Sequence, residues 1–411
     1  MSVLLLIVIY LIFISLGLPD SLIGSAWPSL SQSLEISNAL QGVLSIIVSL
    51  CTILSSFLTM KLIALLKEKG VIIISISLTV IGLLIFSYAP NFIVLCIGAI
   101  PLGLGAGAID TTLNNYVAIH YKAIHLNWLH AFWGVGATLS PFLVSFFLTD
   151  LNGWRKGAIC LACIQAAILL VTICTVKVWK VVELNFDKKE VNEEIEVKKV
   201  GFFNSFRIRG VAFALISFAS YIAVESLTGN WFSSMMVFGF NVEESVATRW
   251  TSSFYLGMMI GRFLSGILSL KIKDKNMIRI GEGLVLVGLI LMMCNFYMPL
   301  MPIALVLVGL GCAPIYPAII HSTAERFTKE LSPNVMSIQI GFSYFSTLII
   351  SPLYGVVAKY TSFAYLPYYV LFFLVFLMIG NEFTLHLVKD KSKLLDKLNK
   401  KTTCWSSLLY F

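Results

Sequence analysis

Long apolar runs alternate with short polar connections along almost the whole chain. A helix that crosses the hydrocarbon core of a bilayer needs about 20 mostly apolar residues. The pattern therefore predicts an all-α integral membrane protein with twelve transmembrane helices. The predicted spans are residues 3–30, 38–62, 71–89, 91–119, 127–149, 156–180, 207–238, 247–270, 276–298, 300–322, 333–358 and 364–388.

One connection differs from the others, because residues 181–206 are dense in charges of both signs. This composition predicts a solvated linker between two groups of six spans. The predicted organisation is an N-terminal six-helix half at 1–180, a charged cytoplasmic linker at 181–206, a C-terminal six-helix half at 207–388 and a cytoplasmic tail at 389–411.

The two halves share short motifs in the same order. Residues 20–27, "DSLIGSAW", are similar to residues 225–231, "ESLTGNW". Two further pairs follow at nearly the same spacing, 102–107 with 308–313 and 140–146 with 351–357. Each half holds an even number of spans, so the repeats are parallel and related by an axis along the membrane normal.

Composition and charge support this picture and exclude other classes. The chain has 411 residues, of which 58% are hydrophobic and 12% are charged, well outside the range of soluble domains. Its net charge of +8 lies mainly in short loops, so nucleic acid is not an expected partner. With the N-terminus inside, 24 Lys and Arg residues face the cytoplasm and four face the opposite side. This asymmetry predicts cytoplasmic termini in a cell-membrane protein.

Several motifs identify a family resemblance. Residues 16–28, "LGLPDSLIGSAWP", 129–141, "LHAFWGVGATLSP", and 256–266, "LGMMIGRFLSG", resemble the fucose permease-like branch of the major facilitator superfamily, which contains sugar–proton symporters. One feature departs from the superfamily pattern. The loop after the second helix, within residues 59–71, lacks the usual Asp-Arg pair.

The resemblance implies a proton-coupled symporter that moves a small polar solute, expected to be a monosaccharide, by alternating access. Proton-coupled export of a drug or metabolite on the same fold is an alternative, because fold does not fix direction or substrate. A membrane nutrient sensor that binds without transport is another. Coupling to Na⁺ instead of H⁺ also stays open at this point.

Three carboxylates deep inside predicted spans are the best functional candidates, because ionisable residues are rare there and by default functional. They are Asp20, Asp110 and Glu225. Low dielectric disfavours the charged form of a carboxylate, so such a group can hold and release a proton. In the symporters that the chain resembles, acids on the first and fourth helices serve coupling, and Asp20 and Asp110 occupy those places. Glu225 is the repeat mate of Asp20. The competing interpretation is a structural hydrogen bond between helices.

Other residues are predicted to gate or support the site. Pro19 lacks an N–H group and disturbs the helix just before Asp20. Arg262 lies inside the eighth span, and its alternative role is to cap helix ends or pair with loop carboxylates. Glu325 and Arg326 close the tenth helix on the cytoplasmic side, where they resemble inner-gate residues.

Substrate contacts are expected from amides, hydroxyls and aromatic rings inside the spans, because sugars need paired donors and acceptors and flat apolar faces. The candidates are Asn114, Asn115, Trp27, Asn230, Trp231, Tyr316, Gln339 and His130, with Trp133 as a further ring. For each tryptophan the alternative is the interfacial aromatic belt.

Motifs for other chemistry are missing from the sequence. It contains no phosphate-binding loop of the G-x-x-x-x-G-K-[ST] type, no zinc-binding pattern and no G-x-S-x-G hydrolase elbow. We therefore expect no enzyme activity, no cofactor and no metal. The expected partners are a small-molecule substrate, H⁺ and the lipid bilayer, with a monomeric chain.

Overall fold

The fold was taken from a computed structural model, which describes the backbone of residues 3–121, 123–150, 152–179, 210–294, 298–327 and 332–407. The predicted linker at 181–206 lies outside these ranges, so the division of the chain at that point stays a prediction. Side chains of the predicted tail, beyond Leu387, also lie outside the description.

The described N-terminal half consists of helices. They are α1 (Val3–Asp20), α2 (Leu22–Ser33), α3 (Gln41–Tyr88), α4 (Phe92–His120), α5 (Ala123–Ser145) and α6 (Gly153–Cys174), with a 3₁₀ turn at Asn38–Leu40.

The described C-terminal half is also helical. Its elements are α7 (Val211–Ser234), α8 (Glu244–Leu268), α9 (Asp274–Met293), α10 (Met301–Arg326), α11 (Ser332–Phe345), α12 (Ser351–Tyr360) and α13 (Leu366–Ser407). Short π-helical stretches at Met235–Gly239 and Ser346–Ile350 extend α7 and join α11 to α12. Short 3₁₀ turns lie at Met298–Leu300 and Phe363–Tyr365.

The helices account for the predicted spans. Nine stretches of the described residues are long and apolar enough to cross a membrane. One of them, Asn38–Tyr88, contains both the second and the third predicted spans, since α3 continues through a kink at Lys67, where φ is 60°. Helices α5 and α8, which are richer in polar residues, correspond to the predicted spans at 127–149 and 247–270. The fold is thus the expected all-α membrane architecture.

Prolines inside two helices free backbone carbonyls, and side chains from neighbouring helices satisfy them. Pro19 cannot donate to the carbonyl of Ser15, four residues earlier. Gln165 Nε2 on α6 donates to that oxygen instead, at 2.8 Å. Inside a bilayer such replacement is required, because no water is present to bond the carbonyl.

The same arrangement recurs on α5. Pro141 leaves the carbonyl of Ala137 without its helical donor. Ser21 Oγ, at the break between α1 and α2, donates to it at 2.9 Å. This break therefore packs directly on α5, which fixes the position of the neighbouring Asp20.

Each half has its own apolar core. In the N-terminal half, one cluster of buried residues surrounds Trp27 and Phe86, and a second surrounds Phe13. In the C-terminal half, the largest cluster surrounds Phe218 and Phe254. The C-terminal cluster also includes Ala137 of α5, so it extends across the contact between the halves.

The halves meet along α5 and α8. Gly134 allows a close approach, since a side-chain carbon there would lie 3.0 Å from Cβ of Met259. Nearby, the rings of Phe132 and Phe263 meet edge to face, with centroids 5.7 Å apart. We call this contact the α5–α8 seam.

A second set of contacts joins the halves at the end that the charge distribution places away from the cytoplasm, here called the outer end. Gly24 on α2 abuts α7, so that a side-chain carbon there would lie 2.7 Å from Cα of Asn230. The backbone oxygen of Asn230 accepts a hydrogen bond from Gln41 Nε2 at 2.6 Å. Gly42 packs as tightly on Pro352. These five residues form what we call the outer closure.

Candidate functional site

Asp20 lies where α1 ends, between Pro19 and Ser21. Its side chain is exposed, although both neighbours are buried. A carboxylate in a membrane-spanning helix avoids lipid and faces a water-filled interior or a partner. Asp20 Oδ2 accepts a 2.8 Å hydrogen bond from the indole Nε1 of Trp133 on α5. The carboxylate therefore faces the interior between the helices.

Trp133 connects Asp20 to the other half. The guanidinium carbon of Arg262, on α8, lies 4.9 Å from the centroid of the Trp133 ring. Such a cation–π contact is worth about 0.5–2 kcal/mol, depending on how far it is desolvated. Arg262 Nη1 also donates to the backbone oxygen of His130 at 3.2 Å. Arg262 belongs to the C-terminal half but is held by groups of the N-terminal half.

Glu225 on α7 completes the series. Its Oε1 lies 3.8 Å from Arg262 Nη2, while its Oε2 accepts a 2.5 Å hydrogen bond from the hydroxyl of Tyr221. The Arg262 and Glu225 side chains are only 14% and 23% exposed. A continuous series of contacts thus runs through Asp20, Trp133, Arg262, Glu225 and Tyr221, which we call the cross-half chain. It joins the two repeat-related acids.

Asp110 on α4 lies beside this chain. Two glycines position it, because Gly103 and Gly107 bring α4 into backbone contact with α3. Asp110 Oδ1 accepts a 2.8 Å hydrogen bond from Asn114 Nδ2, one turn later. Asp110 also interacts electrostatically with Asp20 and with Arg262. Two carboxylates, Asp110 and Glu225, therefore interact with one guanidinium group, and Asp20 is linked to it through Trp133.

Two other predicted residues lie next to these charged groups. The ring of Tyr316 on α10 packs 6.2 Å from Tyr221, and its hydroxyl interacts electrostatically with Asp110. The ring of His130 meets Phe13 edge to face at 5.8 Å. Tyr316 and Asn114 therefore lie beside Asp110, whereas His130 lies beside Arg262. Asn115, the next residue on α4, is exposed.

Three predicted sugar contacts lie at the outer end instead. Trp27 is fully buried and donates its indole N–H to the backbone oxygen of Asn38 at 2.9 Å. Trp231 is buried likewise and donates to Ser351 Oγ at 3.0 Å. Asn230 belongs to the outer closure. Their contacts here are structural, and their roles as sugar ligands stay predictions.

Gln339, Arg326 and Glu325 lie toward the other end of the C-terminal half. Gln339 is fully buried, and its Oε1 accepts from Thr323 Oγ1 at 2.9 Å. Arg326 Nη2 donates to Asn381 Oδ1 at 3.1 Å, which ties α10 to α13. The side chain of Glu325 lies outside the described residues. The proposed inner-gate pair therefore stays a prediction.

The alternative role considered for Arg262 finds no support in its contacts. Asp274, the suggested loop partner, instead lies 2.6 Å from His321 Nδ1.

The sequence did not predict that Trp133 pairs with Asp20, and indicated only that it could supply an aromatic ring. The residues are 113 positions apart, so no local pattern carries the pairing.

Two cavities lie away from these acids. An open cleft of about 780 Å³ lies at the outer end and is lined by Gln32 and Glu244, among others. An apolar groove of about 380 Å³ lies between α12 and α13. Within the described ranges, no three His, Cys, Asp or Glu side chains converge as a metal site.

Curated relatives cover most of the chain. It is 24% identical over 362 residues to the glucose/mannose transporter GlcP of Bacillus subtilis, covering 84% of this chain and 86% of that protein. It is 23% identical over 390 residues to bypass of stop codon protein 6 of Saccharomyces cerevisiae, covering 87% and 77%.

Solved structures share the fold. A D-xylose–proton symporter superposes with a TM-score of 0.68 at 14% identity, covering 93% of this chain and 97% of that one. The fucose–proton symporter FucP of E. coli superposes with a TM-score of 0.57 at 16% identity, covering 93% and 98%. The sequence model of the Major Facilitator Superfamily matches residues 9–248 and 213–409, which together span nearly the whole chain. The chain is a multi-pass membrane protein that belongs to the Major Facilitator Superfamily.

Proposed function

We propose that this protein is a proton-coupled symporter that takes up a monosaccharide by alternating access. It acts as a carrier and not as an enzyme, as a monomer in the plasma membrane with both termini in the cytoplasm. The cross-half chain is the observation that carries the proposal. It places Asp20 and Glu225 on either side of a single cation that contacts both halves.

The charge balance around Arg262 supplies a coupling mechanism. When Asp110 and Glu225 are both ionised, two negative charges compete for one guanidinium, and an ionised Asp20 adds a third negative charge that repels Asp110. A proton on Asp20 or Asp110 removes a negative charge from the N-terminal half. Arg262 can then shorten its 3.8 Å contact with Glu225 and loosen its hold on Trp133 and the His130 carbonyl. Protonation thereby changes the relative energy of arrangements in which the halves are close or apart.

The groups around Asp110 suit a sugar. Asn114 and Asn115 offer amide donors and acceptors, and Tyr316 offers a hydroxyl and a ring face. Sugar hydroxyls need both kinds of partner, and their C–H faces pack on aromatic rings. The names of two similar proteins, a glucose/mannose transporter and a D-xylose–proton symporter, support the same substrate class.

The arrangement corresponds to a state open toward the cytoplasm. The outer closure buries Gln41 and packs Gly24 and Gly42 against the other half. The side chain of Asp20 is nevertheless exposed, which supports access from the opposite end. In this state the acids can release a proton and sugar into the cell. Reopening at the outer end would then expose the same acids to the outside.

Sugar-induced proton movement in energy-depleted, right-side-out vesicles tests the proposal. External pH is recorded after addition of D-glucose, D-mannose, D-xylose or L-fucose. We expect alkalinisation with at least one sugar in the wild type, and its loss in Asp20→Asn, Asp110→Asn or both. Glu35→Gln, at an exposed loop position, is the matched control and should behave as the wild type. Full uphill accumulation in both aspartate variants would remove the mechanism.

A further inference from the structure

The outer cleft of about 780 Å³ has walls from both halves of the protein. Gln32 and Asp150 line it from the N-terminal half, and Phe238, Asn241, Glu243 and Glu244 line it from the C-terminal half. Its volume falls within the range of about 300–1,000 Å³ that is usual for small-molecule sites. We propose that this outer cleft is a second monosaccharide-binding site, which receives the substrate before the outer closure opens.

The amides of the cleft are available to a ligand. Within the described part of the chain, the side chains of Gln32 and Asn241 have no hydrogen-bond partner, and both are exposed. Each amide supplies two N–H donors and one oxygen acceptor. They lie on opposite halves, so one bound molecule can contact both.

The carboxylates add acceptors without forming a cation site. Asp150 Oδ2 accepts from Lys156 Nζ at 2.8 Å, and this hydrogen bond lowers the pKa of Asp150, which keeps it an ionised acceptor. Glu243 Oε1 accepts from Ser245, which leaves its second oxygen for a ligand. Within the described ranges, no three of these groups converge on a metal. The negative charge also disfavours anions such as sugar phosphates.

A neutral polyol is the ligand that these groups suit best. Its hydroxyls can donate to the carboxylates and accept from the amides. Phe238 supplies an apolar wall, which is held by packing on Phe363 at a centroid distance of 5.6 Å. Amides, carboxylates and an aromatic ring together form the kind of surface that binds an uncharged sugar.

The cleft stands directly over the closed outer end. Glu244, on α8, lines the cleft. One turn further along α8, Thr248 Oγ1 donates to the backbone oxygen of Ser25 at 2.8 Å. This hydrogen bond joins α8 to α2 at the residue next to Gly24 of the outer closure. When the halves separate at this end, the walls part as well, so a sugar held there is released toward the central acids.

The inference rests on the proposed function and is tested by counting bound sugars. Purified full-length protein is equilibrated with labelled D-glucose, D-mannose or D-xylose, whichever is transported, and the number bound per chain is measured. We expect two in the wild type and one in Gln32→Ala/Asn241→Gly. Glycine at 241 is chosen because Asn241 has a φ of 55°, which glycine adopts without strain. The control is Thr361→Ala, an exposed outer position that does not line the cleft.

Uptake kinetics give an independent measurement. Loss of two hydrogen-bonding side chains is expected to raise the KM for uptake from outside about tenfold, with little change in the maximal rate. One sugar per wild-type chain, or an unchanged KM and stoichiometry in the double variant, would overturn the outer cleft as a site. If sugar and protons move together but only one sugar binds, the cleft alone fails. If no sugar binds or moves, the proposed function fails with it.

Discussion

Trp133 on α5 donates its indole N–H to Asp20 on α1 at a distance of 2.8 Å. The hydrogen bond lies within the N-terminal half. The same indole ring also contacts the C-terminal half, because Arg262 lies over it. Any change in the charge of Asp20 is therefore transmitted to a ring that contacts the opposite half. This relationship makes Trp133 the first position to test.

Trp133→Phe removes the N–H donor and keeps an aromatic ring near Arg262. A hydrogen bond to a charged group is worth about 1.5–3 kcal/mol, so we expect uphill sugar accumulation to fall roughly tenfold or more. Sugar counterflow, which needs no net proton movement, should be less affected. Transport assays in vesicles with and without a proton gradient measure the two. Equal loss of both activities would show that Trp133 acts only in packing.

Arg262→Met leaves Glu225 without its cation in a largely buried place. Breaking one partner of a buried pair is costly, and we expect the free energy of unfolding to fall by about 1–3 kcal/mol, since both side chains keep some exposure. Adding Glu225→Gln should recover much of this stability but not coupled transport. Thermal unfolding of the purified variants in detergent measures the first effect, and vesicle uptake measures the second. A double variant no more stable than Arg262→Met would contradict the pairing.

Gly24→Val should prevent the outer closure. Even a single side-chain carbon at Gly24 would lie 2.7 Å from Cα of Asn230, so the closed arrangement must loosen. We expect a cysteine placed at buried Ser29, in a background without native cysteines, to react faster with an impermeant maleimide added outside. Gly283→Val is the matched control, because nothing lies within 4 Å of a side-chain carbon at that glycine. Identical labelling in both variants would argue against the closure.

Gln165→Leu should lower the free energy of unfolding, because Pro19 cannot donate a hydrogen bond to the Ser15 carbonyl of α1. The carbonyl of Ser15 would lose the donor that replaces its helical partner, at a cost of about 1–3 kcal/mol. Adding Pro19→Ala restores a backbone N–H four residues after Ser15 and should recover part of the stability. Thermal unfolding of the two single variants and the double variant completes this double-mutant cycle. Additive effects of the two changes would mean that they do not share this carbonyl.

Much of the fold was predictable from local pattern. Apolar run length located the helices, and the shared motifs identified two similar halves. The parts that differ are local departures from regular helices, such as the continuous α3 through Lys67 and the π-helical stretch Ser346–Ile350. A short charged segment has the same sequence pattern whether the helix ends there or continues through a kink. An apolar run likewise has the same pattern whether its backbone is α-helical or π-helical.

The site was predictable in its charges and not in its pairings. Asp20, Asp110, Glu225 and Arg262 stand out because charge inside a span is rare. Their partners come from other helices, as Trp133 does for Asp20, and nothing in the local sequence specifies them. The same holds for Gln165. The proline predicts that a carbonyl needs a donor, but only packing decides which side chain supplies it.

The α5–α8 seam determines how the two halves can move. Gly134 and Met259 pack directly against each other, and we expect this contact to persist while the outer end opens. We expect α5 and α8 to rotate against each other, with this contact as the pivot. Arg262 and the His130 carbonyl lie one turn from this pivot, so their displacement would be small. Arg249 and Ser145 meet at 3.4 Å near the outer end, where the displacement would be large. Substitutions near this pivot should therefore change the rate of the whole transport cycle. Substitutions at the ends of α5 and α8 should change only which side of the protein is open.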